Sequence, residues 1–303
     1  MKIAIMGAGA MGSLFGVHLT LAGEEVWLVD VRKEQTQAIA SGGLSLEEKG
    51  KVRQVPMNAT DDLRAVGKAD LVIFFVKAYH TEKAVTDALV LEREDTAFLT
   101  LQNGLGNEEA ICRHVDPRKV MLGVTNHGAT LLGPGRIRHA GWGKTYLGEL
   151  NGEITGRLKR TAEIFSRADL ETEVTAEINT IVWNKLFVNV GINALTALTG
   201  LRNGQLLEHP ETLQLLETLV AEAAEVARKK GVRIEGDPVE HAKRVAEATR
   251  ENRSSMGQDI DNRRKTEIDA INGAVVREAK KLAMSVPCNQ TVTKLIRVIE
   301  KQF

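Results

Sequence analysis

Only two cysteines occur in 303 residues, Cys112 and Cys288. They are too few for a disulfide framework and form no C-x-x-C pair, so a reducing, cytoplasmic setting is expected. Net charge is also absent: 40 basic residues balance 40 acidic ones. That balance removes any general attraction to nucleic acid or to an anionic membrane. Long apolar runs are missing as well. The longest, Leu71 to Val76, is strand-sized and far short of a membrane span, and Gly7 interrupts what would otherwise pass as a signal-peptide core. The seven histidines show no H-E-x-x-H or similar ligand spacing, so no metal site is expected. Repeats and low-complexity linkers are absent too. The chain that remains is long enough for two domains, each with its own core.

What the sequence does carry begins at its first residues. The apolar run Ile3-Ala4-Ile5-Met6 leads into Gly7-Ala8-Gly9-Ala10-Met11-Gly12, and the helical pattern Leu14, Phe15, Val17, Leu19, Leu21 follows. A strand, a glycine turn and a helix in that order let a dinucleotide's pyrophosphate approach the backbone at a helix N-terminus. A glycine motif alone is a weak signal, because glycines also collect in ordinary turns. The flanking elements carry the reading. A second strand, Glu25 to Val29, ends at Asp30, the kind of acidic residue that binds both ribose hydroxyls of NAD.

To about residue 125 strand-like and helix-like segments alternate. A helical stretch spans Lys33 to Ala40, a hairpin joins Leu44–Leu46 to Val52–Val55, and buried strands are expected at Leu71–Val76, Ala97–Leu101 and Val120–Val124. Helices are expected near Thr81–Leu89 and Glu108–His114, and glycine-rich Gly133–Leu150 suggests antiparallel additions at the sheet edge. The class is α/β: an N-terminal Rossmann-type doubly wound sheet over 1–174 and an all-helical domain over 175–303. Helical periodicity marks Ile178–Thr199, Thr212–Lys230 (stopped by Gly231), Pro238–Thr249, Thr266–Ala283 and a last helix from about Thr291. The cleft between two such domains is the default active site.

Within Ile178–Thr199, Lys185, Asn189 and Asn193 recur at i, i+4 and i+8 on one face of a helix whose other positions are largely apolar. Such a row is either a solvated face or the lining of a polar cleft. Asparagine is an indifferent helix former, which favours the cleft. Lys185 can then serve as general acid, since a partly desolvated lysine has a lowered pKa. The asparagines can hydrogen-bond substrate oxygens. Asn103-Gly104 follows a strand at its carboxyl end, where open α/β sheets bind ligands, or is an ordinary turn. Lys77 closes the strand before it and meets either a phosphate or only solvent. A further stretch runs Glu251-Asn252-Arg253-Ser254-Ser255-Met256, then Asp259 to Lys265, a charge run expected to be solvated. It ends in Thr266-Glu267-Ile268-Asp269, which reads as a capping box with Glu267 in the first helical turn.

These fragments in this order resemble the ketopantoate reductase (2-dehydropantoate 2-reductase) family over nearly the whole chain. The resemblance rests on the glycine loop, Val76-Lys77-Ala78, Gln102-Asn103-Gly104-Leu105-Gly106, Trp183-Asn184-Lys185-Leu186 with Asn189 and Asn193, Ser254-Ser255-Met256, and Thr266 to Gly273. It implies NADPH-dependent reduction of the ketone of ketopantoate to pantoate, for pantothenate synthesis. It implies that Lys185 is catalytic and that Glu267 helps hold substrate and supports catalysis. Asn103, Asn189, Asn193, Asn252 and Ser255 are implied to contact substrate or the nicotinamide end. The cofactor set is then Gly7, Gly9, Ala10, Met11, Gly12, Asp30, Arg32, Lys77 and Asn103. One departure stands out. Many members carry an arginine at the place of Val31 to grip the 2′-phosphate of NADPH, whereas here Asp30 precedes that place and Arg32 follows it. Asp30 therefore favours NADH where the resemblance favours NADPH. Two alternatives stay in view: a 3-hydroxyacid dehydrogenase of the β-hydroxyisobutyrate type, and a nicotinamide-sensing protein without catalysis. The partner expected is a small 2-oxo acid, with no nucleic acid or membrane; a homodimer is compatible with the helical domain.

Overall fold

Short apolar runs alternating with helices build the first of two units in a computed structural model that describes residues 1–303. That unit comprises residues 1–102 and 107–178, and the second comprises 103–106 and 179–303. In chain order the first holds β1 (Lys2–Met6), α1 (Ala10–Leu21), β2 (Glu25–Val29), α2 (Lys33–Gly42), β3 (Leu44–Glu48), β4 (Lys51–Val55), β5 (Asn58–Thr60) and β6 (Leu71–Phe74). There follow α3 (Thr81–Ala88), β7 (Ala97–Thr100), α4 (Asn107–Cys112), β8 (Val120–Thr125), β9 (Gly128–Gly133), β10 (Arg136–Gly141), β11 (Thr145–Glu149), α5 (Gly156–Arg167) and β12 (Thr172–Val174).

The main sheet runs β12-β11-β8-β7-β6-β1-β2-β5. From β5 to β8 every pairing is parallel. In sequence order those six strands read 3-2-1-4-5-6, the dinucleotide-binding arrangement, with the reversal of direction between β1 and β6. Because strand side chains alternate, Ile3 and Ile5 join one core with Leu14, Phe15 and Phe165, while Ala4 and Met6 join another with Phe74, Val85 and Phe98. Both sheet faces are thus covered, which is why the strands read as unbroken apolar runs.

The additions near Gly133–Leu150 are split rather than all at the edge. Only β11 extends the main sheet there, antiparallel to β8. β9 and β10 instead pair with the β3–β4 hairpin in a separate four-stranded sheet, β4-β3-β10-β9. The hairpin turns at Lys49-Gly50, both at positive φ, the turn that matches strand twist. Nothing in the sequence pattern anticipated α5, whose Thr155 caps the Leu158 N–H.

The second unit contains α6 (Ile178–Thr199), α7 (Pro210–Lys229), α8 (Pro238–Ala248), α9 (Ser255–Asp261), α10 (Asn272–Lys281) and α11 (Pro287–Glu300). α6 is apolar enough over 18 residues to reach a mean hydropathy of 1.3, more than its interrupted apolar runs suggested, and 67% of that window is buried. It is a core helix, with Trp183, Leu186, Phe187 and Val190 packed against Leu216, Leu219 and Val220 of α7. Each such buried side chain contributes roughly 1.5–3 kcal/mol. α7 starts with Pro210 at its first turn and ends where Gly231 turns left-handed (φ 83°), letting Val232 N–H reach the Ala227 carbonyl at 2.9 Å.

Three expectations in this unit need correction. The helix expected over Thr266–Ala283 begins only at Asn272, and 266–271 is a chain of turns. The last helix starts at Pro287 rather than near Thr291. Asp259, expected in solvent, is buried in α9, a helix begun when Ser254 caps the Gly257 N–H at 2.9 Å.

Candidate functional site

In the first unit the glycine loop leaves β1 at the carboxyl end of the sheet, beside the reversal of strand order. Its three glycines do separate things. Gly7 turns the chain at φ 105°, and a side chain there would meet the Val76 nitrogen at 2.9 Å. A Cβ on Gly12 would overlap the Gly7 carbonyl oxygen, so only glycine lets α1 start so close to the strand. Gly9 has open space where its Cβ would stand, the place where a ligand can approach backbone. As the N-cap of α1, Gly9 provides no side-chain cap, so the N–H groups of the first turn at Ala10, Met11 and Gly12 meet no capping side chain. Uncapped N–H groups at the positive end of a helix suit a pyrophosphate. The cradle fits a dinucleotide.

Asp30, just past β2, faces this loop. One oxygen accepts from Ala8 N–H at 2.8 Å and from Arg32 Nη2 at 2.8 Å; the other accepts from Arg32 N and Nε, both at 2.9 Å. Burial opposes the charge, yet these donors hold the Asp30 carboxyl below its ordinary range. Its side chain is 8% exposed and that of Arg32 is 47% exposed, so Arg32 is the member of the pair with room to move. Lys77 directly follows the β6 region and is half-buried. Gln102 turns out to be a staple: its amide donates to the Val76 carbonyl at 2.7 Å and to Thr81 Oγ1 at 2.8 Å, tying the ends of β6 and β7 together.

The second unit gathers the other candidates. Lys185 projects from α6, where burial lowers its ammonium to about 8 and the carboxylate of Glu267 pulls the opposite way. Glu267 is buried. It therefore faces Lys185 from a turn, not from the first turn of a helix. Thr266 is no helix cap either: its N–H and Oγ1 both bond Glu300 Oε1, at 2.7 and 2.6 Å, and its Oγ1 accepts from Ile268 N–H. Asp269 is held by Arg297 at 2.6 Å, and Arg277 reaches its carbonyl. These side chains of α10 and α11 fix the turn that presents Glu267.

Asn189 and Asn193 stand one and two turns beyond Lys185. Asn193 is buried to 6% exposure, and the side chains of both make no hydrogen bond within the protein. Buried amides without partners are uncommon, and they mark a place prepared for a ligand's oxygens. Asn103, with Gly104 to Gly106, belongs to the second unit. Leu105 N–H bonds the Ala270 carbonyl at 2.9 Å, and Gly104 (φ 85°) packs so closely on Ala270 that a Cβ would collide. Asn103 is thus joined to the turn that carries Glu267. Asn252 and Ser255 are exposed, with neither side chain bonded in the protein, and no hydrogen bond links them to Lys185 or Glu267. They flank Ser254, whose hydroxyl lies 2.6 Å from Thr196 Oγ1 on α6.

The pattern of the sequence missed the supports: Glu300, Arg297, Thr196 and the fully buried pair Asn272 and Asn289. Asn272 donates to the Val190 carbonyl of α6 at 3.1 Å and to Asn289 at 3.0 Å, and Asn289 reaches Leu219 and Glu222 of α7. Their one visible signal was two asparagines at otherwise apolar helix starts.

Comparison with known proteins identifies the family and the fold. Residues 3–152 match the family model described as ketopantoate reductase PanE/ApbA, and residues 177–300 match the model of its C-terminal region. A 2-dehydropantoate 2-reductase of Halobacterium salinarum is 38% identical over 302 residues, covering 99% of each chain. Among solved structures, a ketopantoate reductase of that family from Ralstonia eutropha superposes with a TM-score of 0.93 at 34% identity, over 100% of this chain and 99% of the other. A D-mandelate dehydrogenase solved with NADH and anilino(oxo)acetate gives a TM-score of 0.94 at 32% identity, with the same coverage.

Proposed function

The chain belongs to the ketopantoate reductase family, and from that premise we propose that it reduces the C2 ketone of ketopantoate, with NADH as the preferred cofactor. The observation that carries the catalytic assignment is the desolvated Lys185 ammonium facing Glu267, on a helix whose next two turns offer unpartnered Asn189 and Asn193 amides. Gly7, Gly9, Ala10, Met11, Gly12, Lys77 and Asn103 would hold the dinucleotide, which would supply the hydride when bound. Lys185 Nζ gives its proton to the ketone oxygen as negative charge develops there. An acid near 8 is largely protonated at neutral pH yet weak enough in its hold on the proton to release it. Glu267 keeps that ammonium charged and oriented. Asn189 and Asn193 bind the oxo acid's oxygens, and Asn252 and Ser255 provide further contacts to the substrate. Positioning supplies much of the remaining rate.

The cofactor preference rests on Asp30. All the donors on its carboxylate except Ala8 N–H come from Arg32. Ribose hydroxyls can replace the guanidinium there, donor for donor, whereas a 2′-phosphate would bring like charge against the carboxylate. Initial rates with NADH and NADPH test this directly: kcat/KM should favour NADH, and Asp30→Ala should erase roughly tenfold of that preference. A strong preference of the wild-type chain for NADPH overturns it.

A second reading concerns the acid only. The likeness to a D-mandelate dehydrogenase solved with NADH and anilino(oxo)acetate favours testing an aryl 2-oxo acid beside ketopantoate. Whichever gives the higher kcat/KM is the substrate class, and the role of Lys185 is the same for both.

A further inference from the structure

Behind the dinucleotide loop, the first unit holds a cluster that ketone reduction does not use. His18 lies on α1, Glu48 ends β3 and His139 lies in β10, and their potential ligand atoms are all within 4.8 Å of one another. Glu48 Oε1 is 2.8 Å from His139 Nδ1 and 3.3 Å from His18 Nε2. The first contact is a hydrogen bond and the second is not. His18 is 4% exposed, and its Nε2 has no hydrogen-bond partner. An imidazole nitrogen without a hydrogen-bond partner thus stands beside a carboxylate oxygen inside the protein. Such an arrangement is costly unless a cation joins them.

We propose that His18 Nε2, His139 Nδ1 and Glu48 Oε1 bind a divalent transition ion of the zinc type, which clamps α1 to the small sheet. Two imidazoles and one carboxylate form a recurrent zinc donor set, and bonds of about 2.0–2.2 Å at tetrahedral angles separate ligand atoms by roughly 3.3 Å. The His18–Glu48 pair already has that spacing. The His139–Glu48 pair is about half an ångström closer than that, and all three ligand atoms lie within 4.8 Å of one another. The outer shell is present too. His139 Nε2 lies 3.1 Å from His127 Nδ1, a contact that can orient the His139 ring from its far side. The Trp142 ring covers His139 at 4.0 Å, and Lys49 is held over the Trp142 face at 4.2 Å. Glu48 is 25% exposed, which leaves an entry path and room for water as a fourth ligand.

The test uses the full-length chain without a polyhistidine tag, stripped by chelator and titrated with Zn²⁺ by calorimetry and with Co²⁺ by visible absorption. One ion per chain should bind, and the thermal midpoint should rise by about 5 °C at a hundredfold excess over Kd. Glu48→Gln, at a partly exposed position of unchanged shape, should weaken binding at least about tenfold, and His139→Ala should abolish the cobalt spectrum. If His139→Ala fails to melt cooperatively, Glu48→Gln decides alone. A wild-type chain that binds no ion overturns the proposal, as does one whose binding Glu48→Gln leaves unchanged. So does a histidine NMR spectrum in which His18 stays an imidazolium after Zn²⁺ is added.

Discussion

The two units prepare for their ligands by opposite means. In the first, backbone geometry makes the site: Gly12 permits the approach of β1 and α1, Gly7 turns the chain close against Val76, Gly9 leaves space, and the first-turn N–H groups supply the polarity. In the second, side chains make it, at some cost to the fold. Lys185 is held charged where burial disfavours charge, and Asn193 is buried with no partner. A backbone site can be damaged only by adding atoms, whereas a side-chain site can be removed and leave a more comfortable protein behind. That difference separates the effects expected of mutation in each.

The largest effect should come from Lys185→Ala. Loss of a general acid is expected to lower kcat by about 10²–10⁴ while cofactor Kd stays within about twofold, read by single-turnover kinetics and by fluorescence titration. Retained turnover would end the assignment. Next come the glycines, where two substitutions part company. Gly12→Ala drives a methyl group into the Gly7 carbonyl and should lower both thermal stability and cofactor affinity. Gly9→Ala adds its methyl to open space and should leave the melt unchanged, yet weaken the cofactor by at least about tenfold because the backbone can no longer be approached. Equal losses of stability in both would contradict the separate roles given to these glycines. Asn193→Ala follows in size, with kcat/KM for the oxo acid down by about tenfold and stability almost unchanged, since no protein hydrogen bond is lost.

How far each region could be read in advance follows from the same contrast. Gly7, Gly9 and Gly12 act through neighbouring backbone, so a local pattern of strand, turn and helix sufficed. The ladder Lys185, Asn189, Asn193 was legible because helical periodicity alone puts three such residues on one face. Glu267 was misread as part of a helix start because Thr266 and Asp269 imitate a capping box. What they bond lies 34 and 28 residues away, in Glu300 and Arg297, beyond the reach of local pattern. The strand β10 went astray for a related reason. Its strand formers identify it as a strand, but whether it joins the main sheet or pairs with β3 is settled by contacts far apart in sequence. The histidine cluster was invisible to ligand spacing on the same account: His139 and Glu48 are 91 residues apart.

The last effect is the one that tests the contrast itself. Lys185 titrates near 8 against an ordinary 10.5, so the folded state prefers the neutral amine. Between those two values the unfolded chain holds more protons than the folded one, and stability therefore rises with pH across that window. Below about 8 the penalty is fully present, offset in part by Glu267. Lys185→Met alone leaves Glu267 buried without that partner and should lower stability. Lys185→Met with Glu267→Gln removes both charges and should be more stable than the wild type by about 1–3 kcal/mol at neutral pH, as found for buried ion pairs replaced as a unit. That advantage should shrink as pH rises from 8 toward 10.5, where the wild-type lysine sheds its proton. Denaturant unfolding at neutral and at alkaline pH reads both predictions. A double variant no more stable than the wild type would mean that Lys185 is held charged without cost. The helical unit would then differ from the glycine loop in its chemistry but not in its energetics.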